Sequence, residues 1–337
     1  MGASNSDEKT WFYGSAVLGC GNFGGIGGNL DFVGKGMDEA TSFAAMDEAA
    51  ALGITLFDTA ERYAAGECER IVGRWLNSRP DEITESIHIS TKVGPPWLDG
   101  RAGRFDRSYI ESTFSGSLDR LGVEAVDVLY THAPDNHAAI PDGYEPTPIE
   151  TTLEALESVR ESGRTRLVGA SNIDGDRLAT AIEAADRMGV AGYQVIQNGF
   201  NLLGPAGDAE VRSIAKERGI VYTAYSALAS GVLTGKYRRG ESPPVGSLLD
   251  IGYLDEVPAE VLDAVDRLAS VAAERGTQTG ALALAWLMAH PDVAAITTAP
   301  SRRPPHLALL TDAITLKVTD GEFGDWSAWF DSAAQKS

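Results

Sequence analysis

Eight short apolar runs, each followed by an amphipathic stretch, predict an α/β chain closed into a single (β/α)8 barrel with extended loops. The runs begin at Ala16, Ile54, Ile87, Val126, Arg166, Tyr193, Val221 and Val293. They read AVLGCG, ITLFDTA, IHISTKVG, VDVLYTHA, RLVGASN, YQVIQNG, VYTAYSA and VAAITTAP. Rich in β-branched residues and too short for helices, they suit parallel strands buried on both faces. The 337 residues fit one such barrel, and no Pro- or Ser-rich linker divides them. A doubly wound sheet is the alternative architecture.

Between the runs, apolar residues recur at three- and four-residue spacing. They do so over Met37 to Leu52, Glu67 to Leu76, Ser108 to Leu121, Ile149 to Ser162, Asp176 to Met188 and Asp208 to Arg218. That spacing gives each helix one apolar face. Gly53, Gly122, Gly163, Gly189 and Gly219 stand where left-handed C-terminal caps are wanted. After the seventh run, a loop around Gly240 to Asp250 precedes two helical stretches, Pro258 to Arg275 and Thr279 to His290. The expected organisation is a flexible N-terminus over 1–10, the barrel over 11–314, and a C-terminal tail over 315–337 near the substrate pocket.

Composition narrows the function. A net charge of -20 argues against nucleic acid and anionic membrane surfaces as partners. Hydrophobic residues make up 43%, ample for a core, yet no run of about 18 apolar residues suggests a membrane span. Cys20 and Cys68 are the only cysteines, which offers no disulfide framework and suits a reducing cytoplasm. No metal-ligand cluster is evident, so no metal is expected. The polar start MGASNSDEKT does not read as a signal peptide. Gly2 and Ser6 fit a myristoylation pattern, but without a basic patch a frayed terminus explains them better.

The stretch VLGCGNFGGIGG, Val17 to Gly28, spaces Gly19, Gly21 and Gly24 as G-x-G-x-x-G. A dinucleotide-binding βαβ unit would turn there directly into a helix, with an acidic residue about 20 positions on. Instead GGIGGNLDFVGKG follows, too rich in glycine for a helix, and Asp58 lies too far along. The glycines need another reason.

Barrel enzymes work at the C-terminal ends of their strands. Strand two ends in FDTAERY, with Asp58 and Tyr63; strand three in STKVG, with Lys92; strand four in YTHAPD, with His132. Any one of these reads as a cap, a snorkelling lysine or a core histidine. Four at successive strand ends converge on one point. A tyrosine is a poor acid at neutral pH, with a pKa near 10, unless its phenolate is stabilised. Lys92 would lower that pKa, Asp58 would orient Lys92, and His132 could donate to a substrate oxygen. Such a set protonates a carbonyl oxygen while hydride from a nicotinamide attacks the carbon.

FDTAERY, STKVG, YTHAPD, GASN, QNGFNLL and YSALASGVLTGKY resemble, in order and spacing, the aldo-keto reductases. The likeness is to the bacterial branch of the family that also contains the potassium-channel β subunits, and runs from about Val17 to His306. It implies a (β/α)8 barrel and NADPH-linked reduction of aldehydes or ketones. It implies Tyr63 as general acid, Lys92 and Asp58 as its tuning pair, Asp58 also bordering the cofactor, and His132 as substrate orienter. By the same resemblance, Ser171, Asn172 and Gln197 hold the nicotinamide carboxamide and Tyr225 stacks on its ring. Ser226, Leu228, Ser230 and Gly231 lie in the loop that wraps the pyrophosphate. VLGCGNFGG is similar to the family's first βα loop, which makes Gly21 and Asn22 cofactor contacts and Phe23 a pocket wall. A glycine there lets the backbone come close to a ligand.

Two basic islands follow strands seven and eight, where barrel phosphate sites usually lie: Lys236 with Arg238 and Arg239, and Arg302 with Arg303. Lys236 is placed with the cofactor. For Arg238 and Arg239 a solvated charge run explains the pair equally well. ITTAPSRRPPHLALL departs from the family's Ile-Pro-Gly and Glu-Asn pattern, so the adenosine clamp is altered. Arg302 or Arg303 could still pair with a 2′-phosphate, which favours NADPH while leaving NADH possible. Trp97, Phe23 and Phe200 are taken as pocket walls, with the tail from Ile314 bearing Trp326, Trp329 and Phe330 as a further frame. The partner is a small carbonyl compound and the chain a monomer or homo-oligomer. Sugar dehydrogenation on the same site, a nicotinamide-binding regulatory subunit, and a Schiff-base enzyme using Lys92 are the alternatives.

Overall fold

The computed structural model describes residues 14–101, 103–136 and 140–334. The expected flexible segment 1–10, with Gly2 and Ser6, lies outside them, as does the end of the tail. Eight parallel strands close in chain order: β1 Ala16–Gly19, β2 Leu56–Asp58, β3 His88–Val93, β4 Val126–Thr131, β5 Thr165–Ser171, β6 Val195–Gly199, β7 Val221–Tyr225 and β8 Ala295–Thr298. β1 pairs with β8, with Val17 opposite Thr297, which completes the barrel and disposes of the doubly wound alternative.

The pleat sorts each strand into two sets. Val17, Leu56, Val128, Tyr130, Val195 and Ala295 fill the barrel interior. Their neighbours Leu18, Phe57, Leu129 and Ile196 face the helices. Interior space is tight enough to dictate residue size. At Gly169 a Cβ would fall 2.4 Å from the Val195 carbonyl oxygen and 2.7 Å from the Tyr130 ring. Two residues past the interior set, the same face reaches the barrel mouth. Leu56 thereby leads to Asp58, Ser90 to Lys92, Tyr130 to His132, and Val195 to Gln197.

Helices α1 Glu39–Ala51, α2 Glu67–Ser78, α3 Arg107–Leu121, α4 Ile149–Glu161, α5 Gly175–Met188, α6 Ala209–Arg218, α7 Ala259–Glu274 and α8 Thr279–Met288 surround the strands. Three of them start on aspartate side-chain caps. Asp38, Asp106 and Asp174 accept from the N–H groups of Thr41, Tyr109 and Arg177 at 2.8, 3.0 and 2.9 Å. α3, α5 and α6 stop on left-handed glycines: Gly122 (φ 69°), for example, closes α3 by donating to the Leu118 carbonyl. No described helix is long and apolar enough to cross a membrane.

After β8 come α9 Ala308–Thr315 and α10 Asp320–Ala334. The tail differs from expectation. Phe323 stacks on Trp286 of α8 at 5.0 Å, Trp329 lies under Arg267 of α7 at 4.8 Å, and Trp326 and Phe330 are buried. These rings pack on α7 and α8.

α2 and α3 approach closely at Gly73, where a Cβ would fall 2.6 Å from the Leu121 carbonyl oxygen and 2.7 Å from that of Arg120. Both obstacles are backbone, so the helices must separate. Gly73→Ala should lose about 3 kcal/mol to overpacking and regain about 1 kcal/mol of helix propensity. Urea denaturation should therefore give a lower midpoint at unchanged slope.

Candidate active site

The centre of the barrel mouth is a buried ammonium. Lys92 Nζ, on a side chain 1% exposed, donates to Asp58 Oδ2 at 2.6 Å, the Thr59 carbonyl at 2.9 Å and the Tyr63 hydroxyl at 3.1 Å. All three N–H groups are spent, as a buried ammonium requires. Asp58 Oδ1 accepts from Ser90 Oγ at 2.7 Å and Gln197 Nε2 at 3.2 Å, so the carboxylate is satisfied on both oxygens. Burial pulls the Lys92 ammonium down, but Asp58 foremost, with Tyr63, holds it above the usual lysine range. An ammonium held this way is a poor Schiff-base former.

Tyr63 departs from the sequence-based expectation. Burial pushes its hydroxyl up to about 12, while Lys92 pulls it down without prevailing. The phenol is therefore protonated at neutral pH. Because the lysine can only donate, the phenolic proton is not spent on it. His132 meets Tyr63 edge to face at 5.5 Å. Burial first, then Lys92 and Arg62, push its imidazole well below the ordinary value, so the ring is neutral.

Local backbone fixes these positions. Tyr63 is followed by Ala64 and Ala65 in the left-handed region (φ 48° and 55°), which turns the chain sharply between β2 and α2. At Gly21 a Cβ would fall 3.5 Å from the Tyr63 ring, so the first loop runs alongside the phenol. Some glycines of VLGCGNFGGIGG have their reason here: at Gly25 a Cβ would fall 2.8 Å from the Ala64 Cβ, and Gly24 and Gly27 take left-handed conformations (φ 70° and 58°).

Ser171, Asn172, Gln197 and Tyr225 come together beside the tetrad at the ends of β5, β6 and β7. Ser171 Oγ donates to the Gln197 carbonyl at 2.7 Å, and the Tyr225 hydroxyl donates to Asn172 Oδ1 at 2.6 Å. Ser226, Ala229 and Ser230 take left-handed conformations (φ 59°, 47° and 56°), with Leu228 and Gly231 in the same turn. Strain of about 1–3 kcal/mol per such residue concentrates at ligand sites. Lys236 lies against this turn; a Cβ on Gly231 would fall 2.3 Å from its Nζ. Asn22 Oδ1 and His132 Nδ1 are buried without a partner among the described residues. Orphaned polar atoms beside the tetrad, with this turn, fit a polar ring ligand and a phosphate-bearing tail.

Other expected residues lie elsewhere or are otherwise engaged. Phe23 is fully buried, its backbone bridged to Met37, and Phe200 packs on Trp286, His290 and the Arg212 guanidinium behind the strands. Both are therefore engaged in packing, with 0% and 2% of their surface exposed. Trp97 is half-buried at the mouth, edge-on to Tyr144 at 6.5 Å. Arg239 pairs with Asp263 on α7 at the surface, so the solvated reading holds for it, and Arg238 is exposed. Arg302 donates to the Lys35 carbonyl, and Arg303 is exposed. In the altered loop after β8, Glu48 of α1 accepts the N–H groups of His306 and Leu307, both at 2.8 Å. Ser90 and the Thr59 carbonyl were missed by sequence reasoning. Ser90 lies two residues before Lys92, a spacing that could have revealed it.

The sequence pattern of the Aldo/keto reductase family matches residues 17–329. The chain belongs to that family. A probable voltage-gated potassium channel subunit beta from Arabidopsis thaliana is 34% identical over 260 residues, 74% of this chain and 75% of the relative. An NADH-specific methylglyoxal reductase from Escherichia coli (strain K12) is 27% identical over 289 residues, 82% of this chain and 83% of the relative. Among solved structures, the glycerol dehydrogenase from Gluconobacter oxydans matches with a TM-score of 0.75 at 26% identity. That match covers 95% of this chain and 92% of the other. Membership in the aldo/keto reductases brings carbonyl–alcohol oxidoreduction with a nicotinamide cofactor as the family's chemistry.

The neutral histidines make the fold acid-sensitive. His290 is held at about 4 by burial and Arg212, and His132 also lies well below its ordinary value. The unfolded chain binds both protons near pH 6.5 and the folded chain does not. Their stabilising effect is full above pH 6.5 and is lost as pH falls toward 4. His132→Gln should make the urea midpoint fall less steeply over that window.

Proposed function

We propose that this chain is an NADPH-dependent oxidoreductase that reduces an aldehyde or ketone to an alcohol, with Tyr63 as general acid. The observation that carries the reading is the unbroken hydrogen-bonded line from Asp58 through Lys92 to the Tyr63 hydroxyl. Ser171, Asn172, Gln197 and Tyr225 would hold the nicotinamide, with Gly21 and Asn22 beside it. The turn through Ser226, Leu228, Ser230 and Gly231, with Lys236, would take the pyrophosphate. When bound, the reduced nicotinamide supplies hydride to the carbonyl carbon.

Tyr63 gives its proton to the carbonyl oxygen as negative charge builds there, so hydride and proton together yield the alcohol. The phenolate left behind faces the Lys92 ammonium, and Asp58 keeps that ammonium charged and aimed. Neutral His132 donates a hydrogen bond to the same oxygen and orients the substrate without adding a competing acid. Trp97 would border the substrate. Tyr63→Phe should lower turnover by about 100- to 10,000-fold while changing cofactor affinity less than twofold, measured by calorimetry and steady-state kinetics.

NADPH is preferred to NADH because Arg302 and Arg303 offer guanidinium groups to a 2′-phosphate. Calorimetric titration should give a 10-fold or greater preference for NADPH, lost in the Arg302→Ala/Arg303→Ala variant, since hydrogen bonds to charged groups contribute about 1.5–3 kcal/mol. Absence of binding by either nucleotide would refute the reading. The likeness to a glycerol dehydrogenase supports a second direction, oxidation of a sugar or polyol on the same residues. The channel-subunit relative supports a regulatory role, against which the complete Asp58, Tyr63, Lys92 and His132 set weighs. A cytoplasmic enzyme without nucleic-acid or membrane partners, monomeric or homo-oligomeric, completes the proposal.

A further inference from the structure

We propose that Asn172 is a positioning residue that ties the Tyr225 ring to the main chain of His132, so one amide sets the cofactor side and the substrate side together. The inference rests on the nicotinamide reading above. Asn172 stands one residue beyond β5 in the left-handed region (φ 57°). Its Nδ2 donates to the His132 carbonyl at 2.8 Å and to Ser171 Oγ at 3.2 Å. Its Oδ1 accepts from the Tyr225 hydroxyl at 2.6 Å. Ser171 Oγ passes the connection on to the Gln197 carbonyl at 2.7 Å. The ends of β4, β5 and β7 therefore meet on the Asn172 amide, and β6 joins through Ser171.

An asparagine amide has two N–H donors and one oxygen with two lone pairs. Here both donors and one lone pair are engaged inside the protein, which leaves a single acceptor position for any ligand. The principal product of Asn172 is geometry. A tyrosine ring turns about two side-chain bonds, and anchoring its hydroxyl fixes the plane it offers to a stacked ring. Holding the His132 carbonyl fixes the backbone from which the imidazole projects. Both demands also suit the residue type: asparagine tolerates the left-handed backbone better than most residues, and its short amide both donates and accepts.

The test is NADPH titration of the full chain, followed by the fluorescence of the bound nicotinamide, in a double-mutant cycle of Tyr225→Phe and Asn172→Ala. Phenylalanine keeps the ring and removes only the tether, and is the variant least able to disturb folding. Tyr225→Phe should weaken NADPH about fivefold, the worth of one net hydrogen bond. It should also shift the bound-nicotinamide emission in the same direction as Asn172→Ala. The double variant should bind no more weakly than Asn172→Ala alone, because the tether is already gone. Wild-type affinity and emission in Tyr225→Phe, or losses that multiply in the double variant, would overturn the inference and leave the nicotinamide reading intact. A wild-type protein that binds no NADPH would overturn that reading itself.

Discussion

Taking an ammonium and a carboxylate out of water costs several kcal/mol per ion, and only near-complete hydrogen bonding offsets it. Lys92 and Asp58 meet that condition at the centre of this barrel, and much of the surrounding structure follows from having to do so. Ser90 must face inward to reach Asp58, Gln197 must arrive from across the barrel, and the Thr59 carbonyl must turn toward Nζ. Remove one of these and an ion is left short of a partner in a low-dielectric site. The Tyr63 hydroxyl is the third acceptor of the ammonium, so the proposed acid is placed by the same requirement that stabilises the pair. Geometry and electrostatics are one constraint here.

The period-two pleat explains how much of this was legible in the sequence. Asp58, Lys92, His132 and Gln197 each stand two residues beyond an inward-facing residue at a strand end, so short apolar runs with polar terminal residues display both barrel and site. The same parity exposes an error. Phe200 follows Ile196 and Asn198, which face outward, and so it packs against Trp286 rather than entering the mouth. An aromatic residue in a loop carries no such signature, and Phe23 is buried with its backbone bridged to Met37. The tail's rings were misread because their partner, the apolar flank of α7 and α8, becomes visible only once those helices are placed.

Burial is the other quantity that sequence conceals. The motif displayed an ammonium near Tyr63 and so predicted a lowered phenol pKa. Enclosure by the barrel mouth acts oppositely and wins, leaving Tyr63 up at about 12. Likewise, the loop after β8 lacks the family's usual helix-opening residues, yet Glu48, more than 250 positions earlier, satisfies its backbone N–H groups. Local reading registered a missing cap. The fold instead holds the loop just ahead of α9, where the neighbouring helix's Glu48 takes the His306 and Leu307 N–H groups.

Charge is partitioned in a way that bears on how a phosphate-bearing ligand reaches the site. Asp58 and Lys92 cancel, Tyr63 is protonated, and His132 is neutral, so the four central groups present no net charge. The chain as a whole carries -20 and would repel an anion at long range. Screening at physiological ionic strength confines that repulsion to about 8 Å, and only nearby groups then decide. Those groups are Lys236 against the left-handed turn after β7 and Arg302 and Arg303 on the loop after β8. In the proposed function, attraction for a phosphate falls to the rim and proton transfer to the centre. Under the proposed function, that separation keeps the central groups without net charge while the rim meets the phosphates.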